Sequence, residues 1–136
     1  MKTKSSYKVI DSHSENNAYF EHWNNGITYL RLRDNVELTL EDSEAQYNYL
    51  KSKYDGVNKF RILVDTGIDT NLSKEAREFS TIPEKNEMTL ATAVIVKSIA
   101  HRMLINFIIK FIHQQTMKMK MFDDKEKAIE WLLTFK

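Results

Sequence analysis

Two stretches of the chain are continuously apolar and rich in β-branched residues: Ile62-Leu63-Val64 and Ala91 to Val96, ATAVIV. Such runs suit strands covered on both faces at the centre of a mostly parallel sheet. Each is followed by a helical pattern. After the first, Ser73 is placed as an N-cap, Glu75 lies in the first turn, and Leu72, Ala76 and Phe79 share a stripe. After the second, Ser98 caps a helix from Ile99 to His113, with Arg102, Asn106, Lys110 and His113 as its polar strip. Upstream, Ala18 to Trp23 and Ile27 to Arg33 flank Asn24-Asn25-Gly26, a hairpin signal, and Thr28, Leu30 and Leu32 alternate with Tyr29, Arg31 and Arg33. Val36 and Leu38 extend toward Thr39, whose spacing to Asp42 fits a capping box for a helix with Leu40, Tyr47, Leu50 and Tyr54 inward, stopped at Gly56. Pro83 ends or restarts the next helix. Met117, Met119 and Met121 alternate with Lys118 and Lys120 as in an edge strand, the methionines filling core. A last helix, Lys125 to Phe135, turns Ala128, Ile129, Leu132 and Leu133 inward, with Asp123 and Asp124 at its N-terminus.

The order is ββαβαβαβα: one α/β domain over 18–136 with a mixed central sheet of about five strands, an N-terminal hairpin and about four helices. Residues 1–17, polar and rich in Ser, Asn and Lys, are expected to be a flexible segment. A length of 136 residues suits one domain. A net charge of +1 argues against a strongly basic nucleic-acid binder. Without cysteine there is no disulfide or thiolate chemistry, and no stretch has the length of a signal peptide's apolar core or a membrane span. A cytoplasmic protein is expected.

Three glycines, Gly26, Gly56 and Gly67, allow no Walker loop, GxGxxG loop or GxSxG elbow, and the four histidines lack metal-ligand spacing. No catalysis, cofactor or metal is therefore expected. The crevice outside the carboxyl ends of such strands is where sites are built, which singles out the loop Asp65, Thr66, Gly67, Asp69, Thr70 and Ser73. By their types alone, Asp65 and Thr66 equally serve as caps of a turn. Charge is segregated: Met88 to Phe122 holds Lys97, Arg102, Lys110, Lys118 and Lys120 and no acid, while Asp34 to Glu44 holds acids and no base. Arg102, Leu104, Ile105, Phe107, Ile108 and Phe111 then form an arc that is core, or else an interface for a dimer, an acidic partner, anionic lipid or an acyl ligand.

The run Met121-Phe122-Asp123-Asp124-Lys125-Glu126-Lys127-Ala128-Ile129-Glu130-Trp131-Leu132 resembles the F-x-D-x-x-x-A-x-x-W-L ending of SpoIIAA-like proteins, bacterial relatives of the STAS domains of anti-sigma factor antagonists. Leu63-Val64-Asp65-Thr66-Gly67, the helix from Ser73-Lys74-Glu75-Ala76-Arg77-Glu78, and Ala93-Val94-Ile95-Val96 are similar to an uncharacterised bacterial branch of that group. The resemblance spans about residues 25–134 and implies a STAS-like fold and a regulatory protein-interaction role with a protein partner. In the antagonists a serine after the strand-end aspartate is phosphorylated as a switch. The matching turn, Asp65-Thr66-Gly67, is one residue shorter and places Thr66 at the hydroxyl position.

Overall fold

The computed structural model of the protein describes residues 6–135. Strands β1 (Val9–Glu15), β2 (Ala18–Trp23) and β3 (Ile27–Leu32) form an antiparallel meander. It continues in parallel through β5 (Phe60–Asp65), β7 (Thr89–Ile95) and β8 (Lys118–Phe122), so the six-stranded sheet runs β1-β2-β3-β5-β7-β8. Two short strands, β4 (Glu37–Leu38) and β6 (Asn71–Leu72), pair in parallel as a separate ladder. The helices are α1 (Leu40–Lys53), α2 (Lys74–Ser80), α3 (Ile99–Ile112) and α4 (Lys125–Leu132), with a 3-10 turn at Pro83–Asn86 between α2 and β7. The α/β domain with a mixed central sheet expected from the alternation of runs is thus the fold observed.

Its local determinants are those the residue types dictate. Gly26 takes φ +91° in the β2–β3 turn, and its N–H donates to Trp23 O. Thr39 and Asp42 make a complete capping box for α1, while Ser73, Ser98 and Asp124 cap α2, α3 and α4. Side chains one apart on a strand point to opposite faces. The even-numbered set Leu30, Leu32, Ile62, Val64 and Val94 meets α1 and α3. The odd-numbered set Ile27, Leu63, Ala91, Ala93 and Ile95 meets α4 through Ala128, Ile129 and Leu132. Ala91, Ala93 and Ala128 are fully buried, and three small side chains at one contact let α4 lie close on β7.

α4 is fastened at both ends. Lys125 Nζ stands 4.8 Å from the centre of the Tyr29 ring and 5.6 Å from that of Trp23, against which Tyr7 stacks at 3.6 Å. Arg61 Nη2 donates to Phe135 O at 2.6 Å, just beyond the helix.

Several expectations need correction. The segment 1–17 was expected to be flexible; residues 1–5 lie outside the described residues, but Val9–Glu15 forms a ladder with β2. Most of that strand is exposed, so it has no apolar face to signal it. What sets it up is Asn16-Asn17, both with positive φ (39° and 67°), a turn that Asn tolerates better than most residues. Asp11 to Lys53 at 3.3 Å and His13 stacked on Tyr49 at 4.0 Å hold it to α1. The sheet therefore has six strands where about five were expected. Leu133 is 43% exposed because α4 closes at Leu132, one residue earlier. Among the described residues, no helix is long and apolar enough to cross a membrane.

Candidate functional site

Asp65 at the carboxyl end of β5 and Lys97 just beyond β7 meet Tyr29, which reaches them from the middle of β3. Tyr29 Oη donates to Asp65 Oδ2 at 2.7 Å, and Lys97 Nζ meets Oδ1 at 2.6 Å while also donating to Thr66 O. Burial by itself raises the Asp65 pKa, but the hydrogen bonds from Lys97 and Tyr29 and the charges of Lys97 and Arg31 outweigh it and leave the carboxyl below its ordinary value. Burial first, and then the bond to Asp65, push the Tyr29 hydroxyl up, so it stays a donor throughout the working range. A carboxylate with lowered pKa stabilises the fold fully above its unfolded value, about 4, and loses that contribution as pH falls through the folded value. Asp65→Asn is therefore expected to cost about 1–2 kcal/mol at pH 7 and progressively less below pH ~4, measured as urea unfolding across pH. A cost that did not shrink in acid would exclude this role for the charge.

The loop after Asp65 is laced onto residues 33–38. Thr70 Oγ1 donates to Arg33 O at 2.6 Å, Ile68 N to Asp34 Oδ1 at 2.7 Å, and Asn35 N to Ile68 O at 2.8 Å. Farther on, Asn71 N reaches Val36 O and Ser73 N reaches Leu38 O. Gly67 lies so close beneath this segment that a Cβ there would stand 2.5 Å from Arg33 O and 2.2 Å from Thr70 Oγ1.

His101, 5% exposed, ties the same loop to α3. Its Nε2 faces Thr70 O at 2.9 Å, and a carbonyl can only accept, so Nε2 carries a proton. Its Nδ1 accepts from Lys97 N at 3.3 Å. Thr66 Oγ1 donates to Ile95 O at 2.7 Å, with His101 Nδ1 3.3 Å away. The hydroxyl marked as a switch position thus faces inward in a residue 7% exposed, and a kinase reaches it only once the loop lifts. Asp69 is exposed and holds φ +57° at the tip of the turn, and Ser73 is occupied as the α2 cap.

The second candidate set divides. Ile105 and Ile108 are buried against the sheet, and Leu104 is half-buried. Arg102, Phe107 and Phe111 are exposed, the latter two at 46% and 54%. They are joined by Ile99 at 78% and Met103 at 68%, which the sequence reading left out of the set. These four apolar residues recur every fourth position and so form one ridge along the outside of α3. The other omission is Lys97 as the partner of Asp65. Its signal was present: Asp65 closes one central strand, Lys97 follows its parallel neighbour, and parallel pairing brings such ends together. Among the described residues, no group of three or more His, Asp and Glu side chains is placed to hold a metal ion.

The family model of a domain of unknown function, DUF7793, matches residues 21–136. No curated protein matches the chain. Among solved structures, the chain is similar to an uncharacterised protein of the DUF3478 family with a SpoIIAA-like fold from Shewanella loihica PV-4. That alignment has a TM-score of 0.59 at 18% identity and covers 97% of this chain and 99% of the other. The likeness is one of fold.

Proposed function

This chain belongs to the DUF7793 family, and from that premise, with its SpoIIAA-like fold, we propose that it is a non-catalytic, regulatory protein-interaction module. Its docking element is the outer ridge of α3. The observation that carries this reading is the exposure of Ile99, Met103, Phe107 and Phe111 along one helix, with the Phe107 and Phe111 rings 5.0 Å apart. Contiguous exposed apolar surface of this kind costs solubility and marks binding faces. Arg102 and Lys110 lie beside the ridge, and α3 contains no acid. The partner surface that complements it is apolar with an acidic rim. A second copy paired through the same ridge would set these cations against one another, which favours a different partner chain.

The loop from Asp65 to Ser73 has a supporting role here: its hydrogen bonds fix the N-terminal end of α3 through His101 and Lys97. In the double variant Met103→Glu, Phe107→Glu both side chains are already exposed, so unfolding stability should change by no more than about 0.5 kcal/mol. Capture of partners from a lysate of the native host by the tagged protein should be lost in that variant. Undiminished capture of the same partners would place the docking face elsewhere.

A further inference from the structure

The helices do not seal the even-numbered face of the sheet. α1 and α2 pack together at one side through Tyr47 and Phe79, whose rings meet edge to face at 5.9 Å. α3 lies at the other side, and between the two groups are two recesses. The inner recess, about 130 Å³, lies under Leu104 and Ile105 of α3, with His101 and Thr70 at its end. The outer recess, about 230 Å³, opens between α1, α2 and the 3-10 turn. Leu32, Val64, Leu72, Thr92 and Met119 border both, so the two recesses adjoin.

The chemistry differs between them. At the inner end the polar groups are turned away: Thr66 and Thr70 donate to Ile95 O and Arg33 O, and His101 is spent on Thr70 O and Lys97 N. An apolar cavity of about 150 Å³ excludes water and accepts a hydrocarbon group, and the inner recess is close to that size. At the outer recess stands Lys85, its ammonium 4.5 Å from the Tyr47 ring centre and 5.1 Å from that of Phe79. Lys85 is half-buried, and among the described residues no carboxylate is within ion-pair distance of it. A partly desolvated cation without a counter-charge beside adjoining apolar recesses has the chemistry to hold an anionic head group whose tail points inward.

The geometry points to a binding site for a medium-chain aliphatic monocarboxylate. Its carboxylate pairs with Lys85, and its chain passes over Leu72, Val64 and Met119 toward Leu104 and Ile105. The two recesses together lie near the lower end of the volumes that small-molecule sites occupy, roughly 300–1,000 Å³, which favours a single short chain over a diacyl lipid. This site is separate from the ridge on the outside of α3 and does not rest on it.

The test is titration calorimetry with sodium decanoate, kept below its micelle range, and with decan-1-ol. Saturable one-to-one binding of decanoate is expected. Lys85→Met should weaken decanoate at least tenfold and leave decanol within about twofold, because only the carboxylate uses the ammonium. Leu104→Trp, which fills the inner recess from a half-buried position, should abolish binding of both. Methyl NMR of the unaltered protein gives a readout that needs no variant to fold: decanoate should shift the resonances of Val64, Leu72, Leu104 and Ile105 and spare those of Ile99 and Met103. Absence of saturable binding, an equal loss for decanol and decanoate in Lys85→Met, or shifts confined to Ile99 and Met103 would each overturn the site.

Discussion

Gly67→Ala is expected to lower the unfolding free energy by about 2–3 kcal/mol, at the upper end of what forced overpacking costs. The melting temperature should fall by on the order of 10 °C for a chain of this length. The reason is not backbone torsion, since Gly67 lies outside the left-handed region that favours glycine. It is the approach of two backbone segments: an added methyl would stand 2.5 Å from Arg33 O, 2.7 Å from Arg33 C and 2.2 Å from Thr70 Oγ1. The Thr70 side chain cannot swing aside without giving up its 2.6 Å bond to that same carbonyl. Relief therefore requires the loop to separate from residues 33–36, which breaks the bonds of Ile68 N to Asp34 and of Asn35 N to Ile68 O. Gly56→Ala is the matched control. Gly56 has φ +86° and nothing within 4 Å of a new Cβ, so only torsional strain of about 1 kcal/mol is expected there. Thermal unfolding of the two variants side by side separates contact from torsion, and equal losses would refute the close-approach account.

His101→Leu should cost about 2–4 kcal/mol. The substitution keeps a bulky apolar side chain at a position 5% exposed, so the cavity left behind is small. What it removes are the partners of two backbone groups, the donor to Thr70 O and the acceptor for Lys97 N. A buried polar group left without a partner costs about 1–3 kcal/mol. Lys97 N–H exchange with deuterium should accelerate along with the fall in stability, because the amide loses its acceptor. A variant as stable as the parent, with unchanged exchange at Lys97, would show that the imidazole serves only to fill space.

The parts of this fold that are legible in the sequence are those where a local rule and the tertiary structure agree. The runs around Leu63 and Val94 are apolar on both sides because helices cover both faces of the sheet there, and Thr39, Ser73 and Ser98 sit where orphan N–H groups need an acceptor. β1 was missed because an edge strand with two mostly exposed faces is selected by backbone pairing, which leaves no hydrophobic period. The Asp65 to Ser73 loop was singled out from its position after a central strand, but its inward turn was not legible: whether a threonine faces solvent or the carbonyl of a neighbouring strand depends on where Ile95 and His101 come to lie. The apolar arc of α3 had the same ambiguity. Ile105 and Phe107 are alike in hydrophobicity and two residues apart, and only the position of the sheet assigns one to the core and the other to the surface.

α4 covers the odd-numbered face of the sheet, and in chain order it follows every strand it covers. During synthesis, Leu63, Ala91, Ala93 and Ile95 therefore remain uncovered after β8 has left the ribosome, until Lys125 to Leu132 have emerged as well. A nascent chain that pairs its strands before α4 emerges would leave one face of the sheet bare, a species open to chaperones and to sheet-on-sheet association. The clasp of Lys125 over Tyr29 and of Arg61 on Phe135 O then acts as the latch of that final step. Loosening it should lower the yield of soluble protein on expression more than it lowers the stability of molecules already folded.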